Sequence, residues 1–381
     1  MEEEKKKENN KLFKDFSVMF TDNSFTPDDA VKGLLLFLVF ETVVSLLYQS
    51  VYFVGFTSDL WSFVFNIILD ASFVLAVYIV AKNKKKNTAV EVKLNKKVSW
   101  LYYCLCFVIS LVCIFGFSGL TNCFLEVLYS FGYQSVQSDI VISNVWMYLL
   151  YTLTICVIPA FCEEVLFRGL IFTGLKKINN VVGVLGSAFI FMIMHGGPDQ
   201  TVHQFILGVI LALAFLISGS IWVPIVIHFF NNFIAVTYSF LVTGDTVAET
   251  GTEVAEIYFV QYLMYALISA LVAACIIYLI FRGFSAINKK RKEKEKPDVK
   301  IDNDSEKVYK PTTIELMDAD NLNSYKFQNG NAVTEENMGE PLTNQNKLSK
   351  QGRVMLIICL TWLVMDWIST LIYGFTNLGG V

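Results

Sequence analysis

The stretch Ile257–Phe281, IYFVQYLMYALISALVAACIIYLIF, runs for 25 residues without one charged side chain. A helix of that length rises about 37 Å, enough to cross a hydrocarbon core roughly 30 Å thick. Reading outward from it, comparable apolar stretches lie near 31–53, 62–81, 99–117, 144–162, 181–195, 203–218, 221–241 and 354–375. The charges collect between them, at the N-terminus and in residues 82–97 and 282–353. With 54% hydrophobic and 17% charged residues, a soluble fold would have to bury several all-apolar helices in one core. The composition therefore excludes an ordinary soluble domain. The expected fold is all-α, a polytopic integral membrane protein with about eight transmembrane helices in the core plus one C-terminal helix.

Orientation follows from lysine and arginine in the short loops. Seven lysines (82, 84, 85, 86, 93, 96, 97) lie in loop 82–98, Lys176 and Lys177 follow the fourth span, and a third basic block runs from Arg282 to Lys300. Loops 54–61, 118–143 and 242–256 contain neither Lys nor Arg. The two kinds of loop alternate without a break if the N-terminus is cytoplasmic. The net charge of −4 averages these opposed faces and says little by itself. The start, MEEEKKKENNKLFKDF, is charged and no apolar run begins before about residue 31, so the first span is expected to act as the insertion signal. No lipidation motif is expected at either terminus, and no nucleic-acid partner; the lipid bilayer is the expected surrounding.

This divides the chain into a cytoplasmic segment (1–30), N-terminal spans (31–143), a core (144–241) and an eighth span (242–284). A linker (285–352) rich in Asn, Lys, Glu, Asp and Ser reads as disordered, because it cannot bury enough apolar surface to offset its ordering entropy. A last span follows at 353–381. No internal repeat is evident, which argues against a transporter built from inverted halves. The eight cysteines lie mostly in or beside apolar spans without CxxC spacing, and read as small packing residues rather than metal ligands.

Ionisable groups inside spans are costly, so those that persist carry information. Glu163, Glu164 and Arg168 close the fourth span; Glu164 and Arg168 are four apart and can pair on one face, while Glu163 points about 100° away. By itself this set could equally be an interfacial pair capping the span. His195 ends the short fifth span before Gly196-Gly197-Pro198, where a lone histidine is more often structural. His228 and Asn232 share a face of the seventh span, with interhelical hydrogen bonding as the bland alternative. The third histidine of the chain, His203, reads as interfacial. A carboxylate, imidazoles and an amide converging among helices are the parts that activate water and stabilise an oxyanion.

Glu163-Glu164-x-x-x-Arg168, Phe191-x-x-x-His195 and His228-x-x-x-Asn232 together resemble, in order, the three motifs of the CPBP family. These are the CAAX-protease and bacteriocin-processing membrane proteins, which include the type II prenyl-protein endopeptidase. Phe167-Arg168-Gly169 after the Glu pair and Ser218–Ile225 before His228 fit bacterial members, and the likeness covers about residues 144–241. It implies an intramembrane peptidase acting on a membrane-associated peptide or protein, either CAAX-type or a secreted peptide such as a bacteriocin. Glu163 would be the base that activates water, His195 would orient that water, His228 and Asn232 would donate to the oxyanion, and Arg168 paired with Glu164 would fix the motif helix. No cofactor is favoured; zinc held by Glu163, His195 and His228 is the alternative, although no HExxH is present. A non-catalytic scaffold or bacteriocin self-immunity protein acting by binding is the second reading. A bacterial plasma membrane is the expected location.

Overall fold

The computed structural model describes residues 25–53, 59–135, 142, 144–242, 256–294 and 346–376, and nothing but helix and connecting turns is found there. In chain order the helices are α1 (Pro27–Phe53), α2 (Asp59–Asn83), α3 (Trp100–Ser130), α4 (Val145–Leu175), α5 (Val182–Met194), α6 (Thr201–Ser218), α7 (Trp222–Val242), α8 (Glu256–Lys294) and α9 (Lys350–Thr376). Among the described residues, eight of these are long and apolar enough to cross a membrane; α5 is the shorter one. The protein is an all-α, multi-pass membrane protein.

The helix boundaries differ from the sequence expectation in three places, each for a physical reason. Helix α3 continues from the expected end at 117 to Ser130, because Gly119, Asn122 and Glu126 lower the local hydropathy without supplying a helix breaker. Helix α4 was expected to stop at 162 and runs on to Leu175, since Glu164 and Arg168 neutralise each other inside the protein rather than marking an interface. Helix α8 extends through 285–294, ten residues of the expected linker, as Lys, Arg and Glu elongate an established helix at little cost. Residues 295–345 of that linker lie outside the described residues, as does most of the N-terminal segment, and the linker's last three residues, 350–352, already belong to α9.

The start of α1 is a capping box: Thr26 N–H donates to Asp29 Oδ2 (2.8 Å) and Asp29 N–H to Thr26 Oγ1 (3.3 Å), satisfying donors the first turn leaves over. Helices α3 and α8 meet through small residues. A Cβ on Gly116 would strike Ala273, and Ser269 Oγ donates to the Gly116 carbonyl across the contact (3.1 Å). Close backbone approach of this kind is how helices associate where lipid removes the hydrophobic driving force. Helix α9 packs on α1 and α5, and Trp367 Nε1–H donates to Thr201 Oγ1 (2.9 Å), so the last helix buttresses the turn that leads into α6.

Just beyond α4, burial pushes the Lys176 ammonium down to about 7, with Lys177 and Lys93 adding repulsion. The unfolded chain keeps the ordinary lysine value near 10.4, so between these two values the unfolded state holds a proton that the folded state has shed. Stability therefore rises with pH across that window. Thermal unfolding in detergent should show wild type gaining on Lys176→Met from neutral pH to about pH 10; parallel curves would refute this.

Candidate active site

The site begins with a missing hydrogen bond. Pro159 has no N–H, so the Ile155 carbonyl four residues earlier loses its α-helical donor, and Thr152–Val157 relaxes into a π-helical turn. Asn232 on α7 supplies the replacement: its Nδ2–H donates to Ile155 O at 2.9 Å. That bond fixes the face of α7 that bears Asn232 against the part of α4 that bears Glu163.

A second π-helical stretch, Val165–Phe172, follows and carries Arg168. Arg168 and Glu164 are both fully buried. Arg168 Nη1 donates to Glu164 Oε1 (2.8 Å) and Nη2 donates to the Gly208 carbonyl (3.1 Å), while the guanidinium lies 4.7 Å from the centre of the Phe191 ring. Gly208 suits this position because α6 passes so close to α5 that a Cβ would meet Ala188 Cα at 2.9 Å. His228 completes the group, its Nδ1 lying 3.0 Å from the same Glu164 oxygen. Since a carboxylate only accepts, Nδ1 carries the hydrogen.

Glu163, the neighbouring carboxylate, turns the other way. It faces a cavity of about 740 Å³ shared with Asp70, Thr154, His195, Asn231 and Asn232. His195 Nδ1 lies 2.7 Å from the Phe191 carbonyl and must donate to it, which leaves Nε2 as the bare nitrogen. That nitrogen stands 3.8 Å from Glu163 Oε2, too far for a direct hydrogen bond, and Oε2 is buried without a hydrogen-bond partner. The cavity runs from these groups toward Tyr129, Ser135, Asp199 and Ser239, which lie near helix ends on the side of the loops without Lys or Arg.

Of the six candidate residues, Glu163, His195 and Asn232 line the cavity, whereas Glu164, Arg168 and His228 form one hydrogen-bonded group outside that lining. Several lining residues were not picked out from the sequence, among them Asp70, Asn231, Gln204 and His203. Asp70 is the sole charged residue of 62–81, a signal that was there to read. Asn231 and Gln204 gave no signal beyond ordinary polarity. His203, set aside as interfacial, lies on the cavity wall because α6 begins at Thr201 and turns its first face inward.

The zinc alternative asks Glu163, His195 and His228 to converge. They do not: His228 Nδ1 is taken by Glu164, and among the described residues no three His, Cys, Asp or Glu side chains are grouped to hold a metal ion. As these side chains stand, Glu163, His195 and His228 do not make a metal site.

The site is thus a polar cleft of carboxylate, imidazole and amide, enclosed by helices long and apolar enough to span a membrane. Residues 145–234 match the family model described as Type II CAAX prenyl endopeptidase Rce1-like. The match covers about a quarter of the chain and makes that segment similar to a CAAX-type intramembrane protease domain. Neither a curated protein nor a solved structure matches the chain.

Proposed function

We propose that the protein is an intramembrane endopeptidase that uses Glu163 as general base to hydrolyse a peptide bond of a membrane-associated peptide or protein. The observation that carries this reading is the facing pair of acceptors, Glu163 Oε2 and His195 Nε2, 3.8 Å apart on the cavity wall. Two acceptors at that separation can share one water, each taking one of its hydrogens, which turns a lone pair toward an incoming carbonyl. Glu163 removes a proton as the water oxygen bonds to the carbonyl carbon. The carbonyl oxygen becomes an oxyanion, and Asn232 meets it with the amide hydrogen not committed to Ile155. His228, held at Nδ1 by Glu164 and outside the cavity lining, acts by position, keeping α7 and its Asn232 against α4. The C–N bond then breaks, and the proton held by Glu163 passes to the leaving nitrogen.

The π-helical turns and the buried Arg168–Glu164–His228 group act as positioning elements, holding α4 to α6 and α7 so that the reacting groups keep their spacing. CAAX-type processing of a lipid-modified C-terminus and processing of a secreted peptide both suit a site buried in the bilayer. Peptidase assay of the reconstituted full chain against a peptide library, wild type beside Glu163→Gln, tests the reading. Equal processing by both proteins would overturn it.

The alternation of basic and Lys/Arg-free loops supports a cytoplasmic N-terminus. A cysteine placed at Thr252 should then react with a membrane-impermeant thiol reagent added outside cells; protection there with reaction from inside would reverse the orientation.

A further inference from the structure

We propose that the cavity takes a basic side chain of the substrate, a lysine or arginine next to the bond to be cut, delivered from the membrane face whose loops lack Lys and Arg. The inference deepens the peptidase reading and rests on it for the meaning of "the bond to be cut". Its own ground is an imbalance in the cavity wall. Asp70 (7% exposed) and Glu163 are carboxylates on that wall, Asp199 stands toward its mouth, and among the described residues neither Lys nor Arg lines it. Arg168 acts on Glu163 from behind the wall, but no basic side chain faces Asp70 there, and an arriving cation offsets the cost of holding its carboxylate away from water.

A second observation points the same way. Gln204, 8% exposed and on the wall, donates through Nε2 to Gln200 Oε1 (2.9 Å), which leaves its own Oε1 buried without a donor. One oxygen of Asp199 accepts from the Tyr133 hydroxyl (2.7 Å), and the other, Oδ1, is buried without a partner. Glu163 Oε2 is given to the attacking water, which leaves Gln204 Oε1 and Asp199 Oδ1 as buried wall oxygens that want a hydrogen from the substrate. The complementary ligand is a group made of donors with no acceptors, which describes an ammonium or a guanidinium.

The approach to the cavity has matching chemistry. An adjoining pocket of about 620 Å³ shares Leu125 and Tyr129 with it and sets Tyr129, Phe259, Tyr262 and Tyr265 around Glu126. Aromatic faces beside a carboxylate hold cations. On the same side, loop 242–256 carries Asp245, Glu249, Glu253 and Glu256 and no basic residue. A peptide with basic residues is therefore drawn toward this face before it reaches the cavity. Lipid-anchored substrates without a cation have no partner for these oxygens.

The test uses the full chain in lipid nanodiscs and two matched peptides, one bearing Lys and Arg and the other norleucine and citrulline at the same positions. The Glu163→Gln protein should bind the basic peptide at least about tenfold more tightly, the size of a charge-assisted hydrogen bond. In the wild type the basic peptide should be cleaved with a correspondingly higher kcat/KM. Asp70→Asn and, separately, Gln204→Leu should each narrow that preference, with norleucine and citrulline rescuing none of it. Equal binding of the two peptides would overturn the inference, and so would measurable cleavage of both at equal kcat/KM, while cleavage of either peptide leaves the peptidase reading standing. Cleavage of neither peptide with a retained binding preference would instead count against the peptidase reading and support the cation site.

Discussion

Glu163→Gln is expected to lower kcat by about 10²–10⁴, the range over which a positioned general base accelerates proton transfer, while leaving the unfolding temperature near that of the wild type. The two halves of this expectation have separate grounds. Gln keeps the shape of Glu and can still hold a water, yet its amide cannot take the proton that the attack releases. Stability should hold because Glu163 Oε2 has no hydrogen-bond partner to lose, and replacing a partly buried carboxylate by a neutral amide removes a desolvation cost. Activity is read as product formation from reconstituted protein, stability from a thermal scan of the same preparation. A variant that keeps more than about half the wild-type rate would show that Glu163 is not the base, since even the low end of the range is a hundredfold.

Arg168→Ala should have the largest effect on stability, a loss of about 3–5 kcal/mol, because removing one partner of a buried pair leaves the other charge uncompensated. Here the stranded group is Glu164, fully buried and holding His228 on the same oxygen. The mutation also removes the donor to the Gly208 carbonyl and the cation from the Phe191 ring. Arg168→Lys should recover only part of the loss, since one ammonium cannot span both the Glu164 oxygen and the Gly208 carbonyl in the fixed fork of a guanidinium. The double variant Glu164→Gln, Arg168→Met should be more stable than Arg168→Ala, because it removes both charges together. Denaturation of purified protein in detergent measures these differences, and an Arg168→Ala protein within about 1 kcal/mol of wild type would refute the assignment.

These two predictions separate the neighbouring glutamates, which differ in the sequence by a single position. The 100° between adjacent helix residues is why one can serve the fold and the other the chemistry. Their consequences should differ accordingly, with Glu163 felt in rate and Arg168, through Glu164, felt in stability. His228 stands between the two, and its loss should be felt in both.

The membrane fold was decided by the sequence itself. Apolar length is a one-dimensional property, and stretches such as Ile257–Phe281 admit no other environment once backbone hydrogen bonding inside lipid is required. The spacing of Glu164 and Arg168 likewise specified a shared helix face, because i and i+4 are neighbours on any helix. Other features depend on which helices meet. Asn232 closes onto Ile155 because Pro159 frees that carbonyl, a link across 77 positions that no spacing rule contains. His228 turns to Glu164 rather than into the cavity, and Asp70, Gln204 and His203 reach the cavity wall, only because α2, α6 and α7 pack around α4. Local sequence sets which way a side chain points from its own helix. What it points at is set by the neighbouring helix, and that is decided by packing alone.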